Sequence, residues 1–288
     1  MKLIVESGST KADWALVDEG GNIAATFDTM GFNPFFHASE FIGKEIRKNS
    51  ALTNTAPNVN EVYFYGAGCS SDHYKQIVAH GLMLVFTKAS IHVDHDLVAA
   101  AYSTYKGKPC ISCIIGTGSN SCYFDGHTLH EEVPALAYIL GDEGSGSYLG
   151  KRLLADYLYK KLPQEIADDF EDSYILSKAI IFENVYQKPH ANVYLASFTP
   201  FINKHKSHPH FHQMVYDGMK LFLQNHVCCF PNYQNIPIHF VGSVAYHFSE
   251  VLEEAAKDLG ITITSIIKHP IEHLVAYHVN YLFVKQDV

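Results

Sequence analysis

One pattern of two strands joined by a polar turn occurs twice in the sequence, and this repeat constrains the fold more than any other feature. The first copy has an apolar strand at residues 3–5, a turn rich in glycine and hydroxyl side chains, and a second strand at 14–17. The second copy has the same order, with strands at 111–115 and 122–124. Asp18 and Asp125 hold equivalent places in the hairpin turns that follow. A duplicated start of this kind predicts two related α/β domains.

The rest of the chain continues as strands that alternate with helices. The further predicted elements are strands at residues 61–66, 90–93 and 236–241, and helices at 97–102, across much of 150–230, from 243 to 259 and beyond 270. This arrangement predicts an α/β protein of two lobes with a cleft between them. We expect one lobe over residues 1–106 and the other over 107–269, with a C-terminal helix at 270–288 as a candidate to rejoin the first lobe.

The composition of the chain limits the kinds of partner and the location that we expect. The chain of 288 residues has a formal net charge of −9 and no cluster of basic residues, which does not favour a nucleic-acid partner. It has no apolar run long enough to span a membrane, and the apolar run at the N-terminus is too short for a signal peptide. Six cysteines are too few for a disulfide scaffold. We expect a cytoplasmic protein that acts on a small molecule.

Three groups of metal-binding residue types are interpreted without a metal. Cys110 and Cys113 form a C-x-x-C inside a predicted buried strand, and no second pair stands at zinc spacing, so we expect them to pack as small apolar residues. Cys228 and Cys229 are interpreted in the same way. The four histidines within residues 205–212 lie beside a proline, and we expect a solvated loop there.

The two glycine-rich turns are candidate anion sites. The first joins two strands, which excludes a P-loop, because that motif opens a helix. A hairpin with glycine at its apex lets backbone N–H groups approach an anion, and neighbouring hydroxyls and Lys11 add donors. One such turn is equally typical of a plain polar hairpin. Two copies at matching points of the repeat favour a pair of turns that grip a polyphosphate.

Asp96 is the candidate general base. It stands directly before the predicted helix at 97–102, where an aspartate is a good N-cap. The same carboxylate could orient a substrate hydroxyl and accept its proton during phosphoryl transfer, because that transition state is loose and positioning outweighs proton abstraction. Asp94 is a competing candidate, and spacing alone does not exclude it.

Two further glycine-containing segments have open interpretations. Residues 140–150 combine four glycines, two serines and two acids ahead of a helix predicted from Lys151. Such a segment is either a solvated loop or a site for sugar hydroxyls or a Mg²⁺ shell. Gly242 and Ser243 end a buried strand and open a helix, which is either a compact turn or a place where a ribose approaches a helix N-terminus.

Together these segments resemble the sugar kinase, Hsp70 and actin superfamily of ATPases. More narrowly they are similar to the BadF/BadG/BcrA/BcrD ATPase group, which includes the N-acetylglucosamine kinases, and the resemblance covers essentially the whole chain. It implies a two-lobed, ribonuclease H-like (actin-like ATPase) fold, use of ATP and Mg²⁺, and phosphorylation of an amino sugar, most of all N-acetylglucosamine. A homodimer is a candidate assembly.

The resemblance also implies a role for each matching residue. It places the ATP phosphates at Ser7, Gly8, Ser9, Thr10 and Lys11 and at Gly116, Thr117 and Gly118. It places the adenosine at Gly242 and Ser243, and the sugar at Asn33, Asn120, Gly141, Asp142, Glu143, Gly144 and Ser145. It favours Asp96 over Asp94 as the catalytic residue.

Position 6 departs from the family pattern. Glu6 stands where the family has the aspartate that helps to hold Mg²⁺, directly or through water. The longer side chain moves the carboxylate by about one methylene, and Mg²⁺ demands near-ideal geometry. We expect a functional but slower enzyme.

Two other functions remain open at this point. Some relatives in the group activate radical enzymes and bridge an iron–sulfur cluster with cysteines, but the cysteines here fall on strand-like segments. A non-catalytic sugar or nucleotide sensor is the other alternative, and Glu6 is the only feature that favours it.

Overall fold

The computed structural model describes residues 1–283 and contains two compact units. The first unit comprises Met1–Lys108, Phe124–Leu129 and residues 269–283. The second unit comprises Pro109–Tyr123 and His130–Lys268. Each unit has a five-stranded sheet, and the two sheets have equivalent strand orders. The domain duplication predicted from the repeated turns is therefore confirmed at the level of sheet topology.

The sheet of the first unit is built around its first strand, which is the central one. Its strands are β1 (Lys2–Ser7), β2 (Lys11–Val17), β3 (Ile23–Met30), β4 (Glu61–Gly66) and β5 (Ser90–His95), in the order β3-β2-β1-β4-β5. β1 pairs antiparallel with β2, and β4 lies parallel to both β1 and β5. Leu3, Ile4 and Val5 of β1 are fully buried, as expected for a central strand covered on both faces.

Helices cover the sheet of the first unit. They are α1 (Ser39–Ile46), α2 (Ser50–Thr53), α3 (Asp72–Met83), α4 (Asp96–Thr104) and, from the end of the chain, α14 (Ile271–Tyr277). α14 packs on α4, β1 and β2, where Leu274 and Val275 join Ile4 and Ala99 in one apolar cluster. A π-helical turn continues α14 to Leu282. The last part of the helix predicted at 270–288, residues 284–288, lies outside the described residues.

The second unit repeats the topology with a larger helical layer. Its strands are β6 (Cys110–Ile115), β7 (Ser119–Phe124), β8 (Leu129–His130), β9 (Ile238–Val241) and β10 (Ile263–Ile267), in the order β10-β9-β6-β7-β8. Its helices are α5 (Ala137–Leu140), α6 (Gly146–Leu158), α7 (Gln164–Ser173), α8 (Lys178–Phe182), α9 (Ala191–Ala196), α10 (Thr199–Lys204), α11 (Pro209–His226), α12 (Ser243–His247) and α13 (Ser249–Asp258). α11 and α13 pack together over the largest apolar cluster.

Three helix predictions are corrected by the structure. The helix expected from Lys151 begins five positions earlier, at Gly146. The helix expected from 243 to 259 is two helices, because the backbone leaves helical geometry at Phe248. The loop expected at 205–212 is a turn only to His208 and is helix from Pro209, which occupies the first helical position of α11, where proline is favoured. The ring of His208 accepts a hydrogen bond from the N–H of His210 at 3.2 Å.

The cysteine interpretation is confirmed for the C-x-x-C. Cys110 and Cys113 are buried on β6, and burial raises the pKa of the Cys113 thiol. Cys228 and Cys229 are only partly buried and pack against the core. All six cysteines are free thiols. Within residues 1–283, no helix is both long and apolar enough to cross a membrane.

Candidate active site

The first glycine-rich turn, between β1 and β2, is tied to the segment that follows β3. Ser7 is fully buried, and its Oγ accepts a hydrogen bond from the N–H of Phe32 at 3.0 Å. Gly31 donates its N–H to the carbonyl of Thr10 at 3.0 Å. Ser7 therefore fixes the position of the turn, and its side chain is not on the surface that the turn presents. Of the remaining turn residues, Gly8 and Ser9 are partly buried, and Thr10 and Lys11 are exposed.

Gly31 is in close contact with this turn and leaves no room for a side chain. A Cβ at this position would collide with the carbonyl oxygen of Gly8 and would lie 2.8 Å from backbone atoms of Ser9 and Thr10. All three neighbours are main-chain atoms, so the turn itself would have to move. The position and shape of the turn therefore depend on glycine at residue 31.

We expect Gly31→Ala to lower the free energy of unfolding by about 1–3 kcal/mol, the usual cost of overpacking. Chemical denaturation measures this loss. Gly20→Ala, in the exposed β2–β3 turn, is the control, because its new Cβ would meet only side-chain atoms of Asn22 and Asp18 at 3.1 and 3.3 Å. If Gly31→Ala and Gly20→Ala are equally stable, the turn at residues 8–10 moves without loss of stability and the prediction is wrong.

Three carboxylates lie close together beside the first turn. Glu6 on β1 faces Asp13 on β2 in the antiparallel register, and Asp96 begins α4. Burial, together with the negative charges of Asp13 and Asp96, raises the pKa of Glu6 to about 8, although Lys11 opposes the shift. Lys11 Nζ lies 2.7 Å from Asp13 Oδ1. The cluster has more negative charge than this one lysine balances, so a cation would stabilise it.

Asp96 is the first residue of α4, and the prediction that it is the N-cap is wrong. His95 is the N-cap: its backbone is extended, and its Nδ1 lies 3.3 Å from the N–H of Leu97. The same Nδ1 lies 3.1 Å from Asp96 Oδ1. It can accept from the amide or donate to the carboxylate, but one nitrogen cannot do both. The Asp96 carboxylate thus lies at the start of the helix and is not used to cap it.

Asp94 is bound to other groups. Its Oδ1 accepts from Lys75 Nζ at 2.7 Å and from the N–H of His95 at 2.9 Å. Its side chain is 45% exposed, compared with 22% for that of Asp96. Asp96 alone of the two is among the charges that act on Glu6. These contacts favour Asp96 as the reactive carboxylate.

Asn33 lies in the same rigid segment as Gly31. Its Oδ1 accepts from the N–H of Phe35 at 3.0 Å, and its own N–H donates to His37 Nδ1 at 3.2 Å. The residue is 9% exposed. Asn33 Oδ1 is already bound to the N–H of Phe35. The Nδ2 amide group of Asn33 is the group that can donate a hydrogen bond to a ligand.

In the second unit, three segments that are distant in sequence meet at the end of β6. The N–H groups of Gly146 and Ser147, at the start of α6, donate to the carbonyls of Gly116 and Thr117 at 2.8 and 3.0 Å. Gly242 has a φ of +124°, and a Cβ there would collide with the carbonyl of Ile115. The second glycine-rich turn is therefore held between the start of α6 and the β9–α12 turn, where Ser243 begins α12.

Asp142 supports the second turn from the other side. Its backbone has a φ of +56°, which is uncommon for a residue other than glycine. Its Oδ1 accepts from the N–H of Ser119 at 3.2 Å, and a Cβ on Gly118 would lie 2.9 Å from its carboxylate. Burial raises the pKa of Asp142 to about 6, although the hydrogen bond from Ser119 opposes the shift. This residue therefore joins the predicted sugar segment to the predicted phosphate turn.

The other predicted sugar residues differ in how available their side chains are. Ser145 is fully buried and caps α6 through a hydrogen bond from the N–H of Tyr148 at 3.2 Å. Asn120 belongs to β7, not to the turn: its Oδ1 accepts from the N–H of Ser121 at 2.8 Å. Glu143 Oε1 accepts from Asn225 Nδ2 at 3.0 Å. Gly141 and Gly144 are buried, and they stand on either side of Asp142 and Glu143 in the sequence.

Comparison with known proteins identifies the family. Neither protein-family models nor curated proteins match this chain. Among solved structures, a putative N-acetylglucosamine kinase from Porphyromonas gingivalis matches with a TM-score of 0.91 and 38% identity, covering 98% of this chain and 100% of that chain. The chain belongs to the N-acetylglucosamine kinase-like family. The resemblance to sugar kinases inferred from the motifs is confirmed.

Two solved structures of much lower sequence identity share the fold. A putative N-acetylglucosamine kinase from Chromobacterium violaceum matches with a TM-score of 0.69 and 16% identity over 96% of this chain and 98% of that chain. A ROK family glucokinase from Streptomyces griseus, in complex with glucose and AMPPNP, matches with a TM-score of 0.56 and 15% identity over 96% and 97%. At such identities the likeness concerns the fold alone. It confirms the predicted α/β, actin-like ATPase class for this kinase-like chain.

Proposed function

We propose that this protein is an ATP-dependent sugar kinase that transfers the γ-phosphate of ATP to a hydroxyl of an amino sugar, with N-acetylglucosamine as the expected acceptor. The observation that carries the proposal is the full-length likeness, at 38% identity, to the Porphyromonas gingivalis protein described as such a kinase. The ROK glucokinase of the same fold holds AMPPNP and glucose, which supports a nucleotide and a sugar as the two ligands.

The two glycine-rich turns are proposed to hold the phosphates. Gly8 to Lys11 offer backbone N–H groups, two hydroxyls and one ammonium on a turn that Gly31 fixes in place. Gly116 to Gly118 form the corresponding turn of the second unit, fixed by α6 and Asp142. Preset donors stabilise a transferring phosphoryl group without reorganising during the reaction. Gly242, which packs against the end of β6, and Ser243, which begins α12, are proposed to hold the adenosine.

Asp96 is proposed to orient the acceptor hydroxyl and to take its proton. Its carboxylate is free of the strong ion pair that holds Asp94, and it stands at the N-terminus of α4. An ionised aspartate is a weak base, but phosphoryl transfer depends mainly on positioning and charge stabilisation. The Asn33 amide, Asn120 and the 141–145 segment are proposed to hold the sugar.

The carboxylate cluster fits a magnesium ion. Mg²⁺ in nucleotide sites takes oxygen ligands from one or two carboxylates, water and the phosphates, so a dedicated protein cage is not needed. Among residues 1–283, no group of three or more histidine, cysteine, aspartate or glutamate side chains forms such a cage. Glu6, with its raised pKa, is the proposed ligand, directly or through water, and Asp13 adds charge beside it. The ion would neutralise charge on the phosphates.

Other finer assignments rest on the motif resemblance. They are membership of the BadF/BadG/BcrA/BcrD group, a cytoplasmic location and a homodimeric assembly. The activator of a radical enzyme is less favoured, because four of the cysteines are buried on or beside strands. A shoulder near 400 nm in anaerobically purified protein would revive it.

The test is an ATP-consumption assay across hexosamines and their N-acetyl forms, with the phosphorylated product identified by mass spectrometry. We expect turnover with N-acetylglucosamine to exceed turnover with glucosamine by at least about tenfold. ATP binding without phosphate transfer to any amino sugar would overturn the proposed function and support a sensor.

A further inference from the structure

A partly buried polar cluster connects the 141–145 segment to the end of α11. It consists of Glu143, Asn225 and His226, with Ser119 and Ser121 of β7 beside them, and we call it the Glu143 cluster. Ser119 Oγ donates to the carbonyl of Glu143 at 2.8 Å, and Ser121 Oγ donates to the carbonyl of His226 at 2.6 Å. Ser119 and Ser121 are two residues apart on β7. Their hydrogen bonds therefore fix the carbonyls of Glu143 and His226 relative to the same strand.

The Glu143 carboxylate points into this cluster. Its side chain is 13% exposed, and Oε1 accepts from Asn225 Nδ2 at 3.0 Å. Oε2 is buried without a hydrogen-bond partner and lies 3.6 Å from His226 Nε2. The acid that the sequence assigned to the sugar is therefore directed into the protein.

His226 provides the facing group. Its side chain is 8% exposed, its ring stacks on Phe222 with centroids 5.0 Å apart, and its Nδ1 is also buried without a hydrogen-bond partner. A separation of 3.6 Å is too long for a hydrogen bond, and a shift of well under 1 Å would form one. A buried charge that loses its partner destabilises the folded protein, so this contact constrains the segment that carries Glu143.

We propose that His226 and Asn225 are positioning residues, which hold the Glu143 carboxylate in the protein interior and so fix the 141–145 segment in the shape that binds the sugar. The inference rests on the proposed function, because it assumes that the segment contacts the sugar. It assigns sugar contact to the backbone of the segment and to Asp142, and it assigns Glu143 to internal support. The effect should fall on sugar binding more than on the chemical step.

The groups around His226 agree with a neutral imidazole whose Nε2 faces the Glu143 carboxylate. Burial lowers the pKa of His226, and Glu143 opposes the shift. Glu143 is the charged side chain that faces the ring from the 141–145 segment, and Phe222 stacks on the ring from α11. Ser121 of β7 binds the backbone carbonyl of His226. Because the folded pKa lies below the ordinary value, the stability that neutral His226 provides is present above about pH 6.5 and declines below it.

The first test compares variants of two histidines on α11. His226→Leu keeps the volume but removes the donor, and we expect the KM for N-acetylglucosamine to rise about tenfold with kcat and the KM for ATP within twofold. His226→Gln restores a donor and should recover much of the loss. His212→Leu is the matched control, since His212 is 40% exposed and pairs with Glu254 away from the cluster. An unchanged sugar KM in His226→Leu, or an equal rise for both substrates, would overturn the proposal.

The second test needs no substrate. An NMR titration of the His226 ring in the full chain should give a lower pKa in Glu143→Gln than in the wild type, because the charge that opposes the burial effect is gone. An unchanged His226 pKa would refute the contact. Failure of the wild type to phosphorylate any amino sugar would overturn the proposed function alone, and a shifted His226 pKa would then still support the internal role of Glu143.

Discussion

Asp96→Asn is expected to lower kcat for sugar phosphorylation by about 10²–10⁴-fold, the usual contribution of a positioned general base. Asparagine has nearly the same shape, so the start of α4 and the contact with His95 should remain. The amide cannot accept the proton of the sugar hydroxyl, and it removes one of the charges near Glu6. Initial-rate kinetics with saturating ATP and sugar measure the loss, and KM values should change little.

Asp94→Asn is the matched control two residues away. Its carboxylate pairs with Lys75 at a largely exposed site, where an ion pair contributes about 1 kcal/mol or less to stability. We expect kcat to stay within about threefold of the wild type. Full activity of Asp96→Asn would remove Asp96 from the mechanism, and a loss confined to Asp94→Asn would transfer the role to Asp94.

The strands could be predicted because their signals are local. An apolar run between turn residues fixes a central strand, and the predicted strand at 61–66 has the bounds of β4. The two turns at Gly8 and Gly116 repeat at matching points, so the sheet topology of the second unit follows from that of the first. The hairpin register also contained a signal that was missed: Glu6 and Asp13 are equidistant from the turn centre and therefore face each other.

The start of α6 could not be predicted, because its glycines serve tertiary packing. Glycine usually signals a loop or a helix end, so the helix was expected only from Lys151. In the structure, a Cβ on Gly150 would collide with the carbonyl of Leu195, and one on Gly146 would lie 2.9 Å from Thr199 Oγ1. These glycines let α9 and the start of α10 approach the helix closely, and no local pattern reports which helix will do so.

The same limit applies to the site. The sequence identified the segment that contains Glu143, but the partners of that residue, Asn225 and His226, stand at the end of a helix about eighty positions later. Similarly, the motif assigns Ser7 to phosphate, and no local pattern predicts that its Oγ accepts a hydrogen bond from the N–H of Phe32. A motif identifies which segments form the site, and the contacts of each side chain decide which residues in it can reach a ligand.

Glu6→Gln is expected to stabilise the metal-free protein at pH 8 and to have little effect at pH 5. The folded pKa of Glu6 is raised to about 8, so the folded state keeps a proton that the unfolded chain releases above about pH 4.5. The free energy of unfolding should therefore fall as pH rises through this window, by up to about 1.4 kcal/mol per unit. Glutamine carries no charge at either pH and removes this dependence.

Thermal unfolding in EDTA measures the effect. At pH 8 we expect the midpoint of Glu6→Gln to exceed that of the wild type by about 2–4 °C or more for each kcal/mol recovered. Glu19→Gln, an exposed acid in the β2–β3 turn, is the control and should leave the pH dependence unchanged.

Glu6→Asp tests the length of the side chain separately from its charge: it keeps the repulsion from Asp13 and Asp96 but shortens the side chain to the family's length. If Glu6→Asp loses activity, the longer carboxylate is not a handicap to the enzyme; if it gains activity, Glu6 costs both stability and rate because it extends too far into the carboxylate cluster.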